Sequence, residues 1–213
     1  LTYSQDKEIF GVPTIGIMNG VDMESIQPVQ RKEDTDDTID LLMVALMQPY
    51  HGYERLLQGL KSYYEAGGVR KIHCHFVGDG PEKGNYEELA SQYHLEEQVT
   101  FYGMKGGAEL DAIYEKADIG ICSLGCYKKG INWSSELKSR EYLAKGMPFV
   151  AGLEIDILSR IDSKYYLQFS NDESEIDIEK IICFYDELYK NDCKIVAKEI
   201  REMACKYIDM KAV

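Results

Sequence analysis

The sequence predicts a doubly wound α/β domain built on a parallel sheet of about six strands. Two observations carry this. From position 41 onward, short apolar runs alternate with segments whose apolar residues recur at helical spacing, and such βαβ units close with right-handed crossovers. The glycine-bearing loops at 47–52, 78–84, 103–107 and 123–135 each follow a strand, so a parallel sheet brings them to one edge, where such folds bind ligands.

Taken in order, 41–46 is the first strand and 52–65 the first helix, with Tyr53, Leu56, Leu57, Leu60 and Tyr64 on its apolar face. Residues 72–77 form the next strand, ending at Gly78-Asp79-Gly80-Pro81, and 86–93 the next helix. Then come a strand at 99–102 closed by Gly103, a helix at 109–116, and a strand at 119–122 that runs into a long loop, 123–133. Residues 165–169 supply a sixth strand, and helices at 178–189 and 194–208 finish the chain. Ahead of all this, 12–18 reads as one β-like run, and 27–40, with Glu33, Asp34, Asp36 and Asp37, as a polar linker. The chain opens on Leu1, which we read as a sign that another segment precedes it.

The stretch 132–152 organises the rest. Ser134 and Ser135 offer helix N-caps, Gly146 suits a left-handed helix end, Pro148 blocks continuation, and 149–151 is a buried strand. A helix start of this kind presents free N–H groups and partial positive charge to an anion such as phosphate. Leu137, Arg140, Leu143 and Ala144 fall on one arc of this helix. Glu141 lies at its edge, either as a surface carboxylate paired with Lys138 or Lys145, or aimed at a polar ligand.

Composition narrows the ligand. A net charge of −13 argues against nucleic acid or an anionic membrane as partner, so an anionic ligand must be met locally. Local cations exist: Lys128, Lys129, Lys138 and Arg140 cluster in thirteen positions, and His51 precedes Gly52 one helical turn from Arg55, where a phosphate would lie at this edge. The six cysteines show neither C-x-x-C nor zinc spacing, which fits a reducing cytosol, and Cys74 and Cys122 sit in apolar runs. His73 and His75 alternate within a strand as hydrogen-bonding residues rather than metal ligands. No run reaches the roughly 20 apolar residues that a membrane span needs. Gly78 to Pro81 lacks the third glycine of a dinucleotide fingerprint, since position 83 is Lys83.

In sequence order, G-V-D, H-G-Y-E-R, V-G-D-G-P, F-Y-G, A-D-I-G-I-C-S-L-G and E-L-K-S-R-E-Y-L-A-K-G-M-P-F-V resemble the C-terminal, donor-nucleotide-binding domain of GT-B glycosyltransferases of group 1, family 4, particularly bacterial surface-polysaccharide members. The resemblance implies a Rossmann-like C-terminal half of a GT-B fold, with 1–18 a remnant of the preceding domain and the crossing segment, 19–40 turn and linker, and 41–213 the nucleotide-sugar-binding domain. It implies a retaining transfer from a nucleotide-diphosphate sugar to a glycan or lipid-linked acceptor, with no cofactor or metal, in the cytoplasm or at the inner membrane through the missing domain, where the catalytic groups would also lie. Glu141 looks like the second glutamate of the E-x7-E motif, which holds the ribose. The backbone amides of Glu136, Leu137 and Lys138, beside Ser135, would hold the diphosphate, and Gly103 and Met104 would face the base. Trp133 stands where the first motif glutamate would be. Leu46 and His51 replace the usual arginine and lysine after the first strand, which shifts phosphate binding toward His51, Arg55, Lys128 and Lys129.

Overall fold

The computed structural model describes residues 6–30, 37–190 and 192–211. The chain begins with a small hairpin, β1 (Glu8–Ile9) and β2 (Val12–Pro13). The apolar run at 12–18 therefore makes two strand residues, not seven. Val12 and Ile15 are exposed, so nothing buried rewards a longer strand.

The sheet core follows: β3 (Thr38–Val44), α1 (Glu54–Glu65), β4 (Lys71–Val77), α2 (Lys83–Gln92), β5 (Val99–Phe101), α3 (Gly107–Tyr114) and β6 (Ile119–Ile121). Then come β7 (Trp133–Ser134), α4 (Leu137–Lys145), β8 (Phe149–Ala151), β9 (Glu154–Ile155), β10 (Tyr166–Gln168), α5 (Ile178–Leu188) and α6 (Cys193–Tyr207). Six strands pair in the order β10-β8-β6-β3-β4-β5, all parallel, while β7 and β9 form a separate two-stranded parallel ribbon. The expected doubly wound sheet is present.

Strand β3 starts at Thr38, ahead of the apolar run, because Asp40 has partners inside the fold: its N–H donates to Asp118 and its carboxylate meets His75 Nε2 at 2.7 Å. The polar linker is shorter by that much. Of its acidic residues, Glu33, Asp34 and Asp36 lie outside the described residues, and Asp37 pairs with Arg70.

Two hydrophobic layers sandwich the sheet. Leu56, Leu57 and Leu60 of α1, Tyr86 of α2 and Ile181 of α5 cover one face; Tyr114 of α3, Tyr142 and Leu143 of α4 and Ile200 of α6 cover the other. The chain runs outward from β3 through β4 to β5, then returns to β6 on the other side. The strand order thus switches between β3 and β6, and sheets of this kind bind ligands outside the carboxyl ends of the strands at such a switch.

The candidate donor site at the strand switch

The loops after β3 and β6 are locked together at the crevice. Leu124 N–H donates to the His51 carbonyl at 2.7 Å. Gly52 has φ +65 and faces Gly125 so closely that a Cβ there would come within 2.4 Å of the Gly125 nitrogen. Only glycine permits that approach. Gly52 is thus a packing position at the floor of the site.

Helix α4 begins beside this floor. Its N-cap is Glu136, and no side chain caps the first turn. The sequence suggested Ser134 and Ser135 as caps, but Ser134 lies in β7, and the Ser135 hydroxyl accepts from the Asn19 N–H at 2.9 Å. The uncapped first-turn amides of α4 remain available to an anion. Leu137, placed by spacing on the buried arc, is 56 % exposed, because the first turn projects beyond the sheet edge.

Lys138 reaches back into the crevice, where its ammonium donates to the Tyr53 hydroxyl at 3.1 Å and lies 5.6 Å from the ring centre. Burial lowers its pKa, and the Glu136 carboxylate pulls it the other way. That carboxylate accepts from Ser123 N–H at 3.3 Å, at the end of β6. His51 is buried at the same spot, stacked on Tyr53 at 5.5 Å, with Nδ1 accepting from Gln48 N–H at 2.9 Å. Desolvation, then Lys138 and Lys129, drive its pKa down to about 3, so its imidazole is neutral. Among the cations singled out in the sequence, Lys138 is the one that enters the crevice.

The others have different work. Arg55, expected near a phosphate, is buried and donates to the carbonyls of Ser174 at 2.5 Å, Ser170 at 3.1 Å and Leu124, with Asp172 at 3.7 Å. It ties α1 to two loops, and its donors are occupied. Arg140 is fully buried, paired with Asp156 and bonded to the Asn19 and Glu136 carbonyls. Lys128 pairs with Glu54, and the Lys129 ammonium sits 3.5 Å from the centre of the Tyr50 ring.

Glu141 is exposed on the next turn of α4. It pairs with neither candidate lysine, since Lys145 bonds Asp111 at 2.7 Å and Lys138 bonds Tyr53. Desolvation of the carboxylate raises its pKa against the pull of Lys145 and Lys138. An acceptor without an intramolecular partner among the described residues is what a hydroxyl-bearing ligand requires. On the far side, Gly103 has φ +66, its carbonyl accepts from Gly78 N–H at 2.8 Å, and Met104 is exposed beside it. Tyr53 escaped the sequence reading because its spacing matches the α1 core face. Its hydroxyl was the available signal, since a buried tyrosine hydroxyl usually finds a partner.

Residues 24–126 match the family model of glycosyl transferases group 1. This stretch is similar to the group 1 glycosyltransferases. No curated protein matches the chain. Among solved structures, a glycosyltransferase from Rickettsia africae superposes with a TM-score of 0.71 at 14 % identity, over 98 % of this chain and 56 % of that one. Sucrose-phosphate synthase from Thermosynechococcus elongatus gives 0.68 at 19 % identity, covering 94 % and 50 %. The Anabaena protein HepE, solved in complex with UDP, gives 0.61 at 15 % identity, covering 81 % and 45 %. The chain spans about half the length of these structures, and at such identities the likeness shows the fold: the C-terminal Rossmann-like half of GT-B. The group 1 match ends before α4, so the structural likeness is what extends over Lys138 and Glu141.

Among the described residues, no group of three or more His, Cys, Asp or Glu is placed to hold a metal ion, and no helix is long and apolar enough to cross a membrane.

Proposed function

We propose that this domain binds the nucleotide-diphosphate sugar of a retaining glycosyltransferase in bacterial polysaccharide synthesis, with the acceptor, a glycan or lipid-linked sugar, held against a preceding domain. The start of α4 carries the reading: uncapped amides of Glu136, Leu137 and Lys138 lie beside a half-buried ammonium at the strand switch. In this reading the diphosphate spans those amides and Lys138, Glu141 takes the ribose hydroxyls, and the backbone at Gly103 and Met104 meets the base. HepE was solved with UDP and with UDP-glucose, which supports a donor of this class.

The chemistry is electrostatic. As the bond between sugar and diphosphate breaks, negative charge grows on the leaving phosphate, and fixed N–H dipoles with a desolvated ammonium stabilise it more in the transition state than in the ground state. Transfer also needs the acceptor at near-attack distance, an orientation advantage of roughly 7–11 kcal/mol that one half alone forfeits. The test is calorimetry of the 213-residue chain with UDP, other nucleoside diphosphates and the parent nucleosides, paired with a transfer assay. We expect diphosphates to outbind nucleosides at low salt, the gap to shrink as salt rises, and transfer to require an added preceding domain. Equal binding of UDP and uridine, with no other diphosphate favoured over its nucleoside, would sink the reading.

A further inference from the structure

The sheet ends on β10, which pairs with β8 and with no other strand among the described residues. Phe169 N–H donates to the Ala151 carbonyl at 2.8 Å, so strand alternation turns the backbone groups of Tyr166 and Gln168 toward the open side. Such an edge invites another chain unless charge, proline or a covering element blocks it, and Tyr166-Leu167-Gln168 carries neither charge nor proline. Helices α5 and α6 flank the edge, and with β10 they line a cavity of about 740 Å³. Phe184 touches both hydrophobic layers there, because no further strand separates them.

The wall that α5 contributes is a stripe two turns long: Lys180, Cys183, Phe184 and Glu187, with Glu179 and Leu188 at its ends. Lys180, Cys183 and Glu187 are exposed, and Phe184 is half-buried. Lys180 stands three positions before Cys183, and Glu187 three positions after Phe184. The stripe is therefore self-complementary in charge. Two copies of α5 laid antiparallel about a twofold axis between 183 and 184 bring each Lys180 against Glu187 of the second copy, and each Phe184 against the smaller Cys183. Glu179 then falls at the outer end of the stripe, where water reaches it. The present partners of these charges are easily exchanged: Lys180 lies 3.7 Å from Asp177 and Glu187 pairs with Lys190, all four exposed, and such pairs are weak. The opposite wall is fixed, with Glu199 accepting from the Tyr165 hydroxyl at 2.6 Å and from Lys164 at 3.2 Å.

We propose that the β10 edge and the α5 stripe form the interface of a homodimer, its partner a second copy of this chain. The contact is isologous, so each Lys180–Glu187 pair is made twice and any change to it counts twice. None of these residues belongs to the proposed donor site, and dimerisation stands independently of nucleotide binding.

Sedimentation equilibrium of the 213-residue chain between about 1 and 200 μM should show a monomer–dimer equilibrium. Lys180→Glu sets glutamate against glutamate at both ends of the contact, and Glu187→Lys sets lysine against lysine. Each should raise the dimer dissociation constant at least about tenfold. Both positions are exposed, so circular dichroism should show both variants folded. Mixed in equal amounts, the two variants should associate with each other, because the glutamates of one meet the lysines of the other. The double exchange in a single chain should restore the association of the parent. A parent that stays monomeric throughout overturns the dimer and leaves the groove to a different partner. A dimer that both single variants retain lies on another surface and overturns it equally, as does failure of the mixed variants to associate.

Discussion

The loop after β3 and the start of α4 face each other across the crevice, and both are rich in groups that a sequence reader assigns to phosphate. The loop contributes His51 and Gly52, the first turn of α1 adds Arg55, and α4 contributes Lys138 and Arg140. Packing separates them. Arg55 spends its donors on three carbonyls, His51 is neutral, and Gly52 exists for a close backbone approach. Arg140 is likewise consumed by Asp156. Of these groups Lys138 is the one that brings a charge into the crevice, and it does so through a hydroxyl of the opposing element, Tyr53. A cation's availability is set by what the fold has already given it to bond, not by its place in a motif.

The largest effect belongs to the pair of cations on α4. Arg140→Ala leaves Asp156 buried without a counter-charge, and one Asp156 oxygen already lacks a partner. Such a change costs about 3–5 kcal/mol of stability, readable in urea unfolding. Lys138→Met should instead keep the fold and lower UDP affinity by about 1.5–3 kcal/mol, as charge-assisted bonds to phosphate are lost. Glu141→Gln should cost a similar amount through the ribose. If Arg140→Ala folds normally and loses UDP, the two residues have been assigned the wrong way round. Unchanged UDP affinity in Glu141→Gln would return Glu141 to the surface.

His51 gives the comparison a pH axis. Its pKa is about 3 in the folded chain against 6.5 unfolded, so below pH 6.5 the unfolded chain binds the extra proton and the folded chain does not. The stabilisation is complete above pH 6.5 and falls by about 1.4 kcal/mol per unit as pH drops toward 3. His73, also lowered by burial, adds a loss of the same sign. Unfolding free energies between about pH 7 and 5 for the parent and His51→Asn should show a shallower slope in the variant. Equal slopes would mean that His51 titrates alike in the folded and unfolded chains, so that it could still carry a charge in the β3 loop below about pH 6.5.

The sheet was legible because each strand and helix depends on a local period. Leu41, Leu42 and Met43 announce β3, and Gly146, at φ +79, ends α4 where the residue type required. What could not be read depends on partners far along the chain. Ser135 looks like a cap until Asn19, more than a hundred positions away, takes its hydroxyl, and Arg55 looks free until Ser170 and Ser174 arrive. Thr38 to Asp40 looked like linker because the strand's polar start is satisfied by Asp118 and His75. Of the candidate site, the order of the motifs pointed to α4 and Glu141.

The smallest expected effect tests the loop that follows β6. Lys128 and Lys129 are exposed, one paired with Glu54 and the other over the Tyr50 ring, and exposed pairs of this kind contribute about 0–1 kcal/mol. A phosphate would have to draw Lys128 from a carboxylate and Lys129 from a ring, so breaking those two pairings offsets what binding gains. At about 0.15 M salt the Debye length is about 8 Å, which also screens any longer-range attraction from these ammoniums. The double change Lys128→Ala with Lys129→Ala should therefore leave UDP affinity within about twofold at that salt, and a modest loss should emerge only as salt is lowered. Lys138 differs because its ammonium is desolvated, so its contribution should persist across the same salt range. A loss of about tenfold from the double change at about 0.15 M salt would show that both lysines swing onto the ligand, and the phosphate site would then extend from α4 across to the loop after β6.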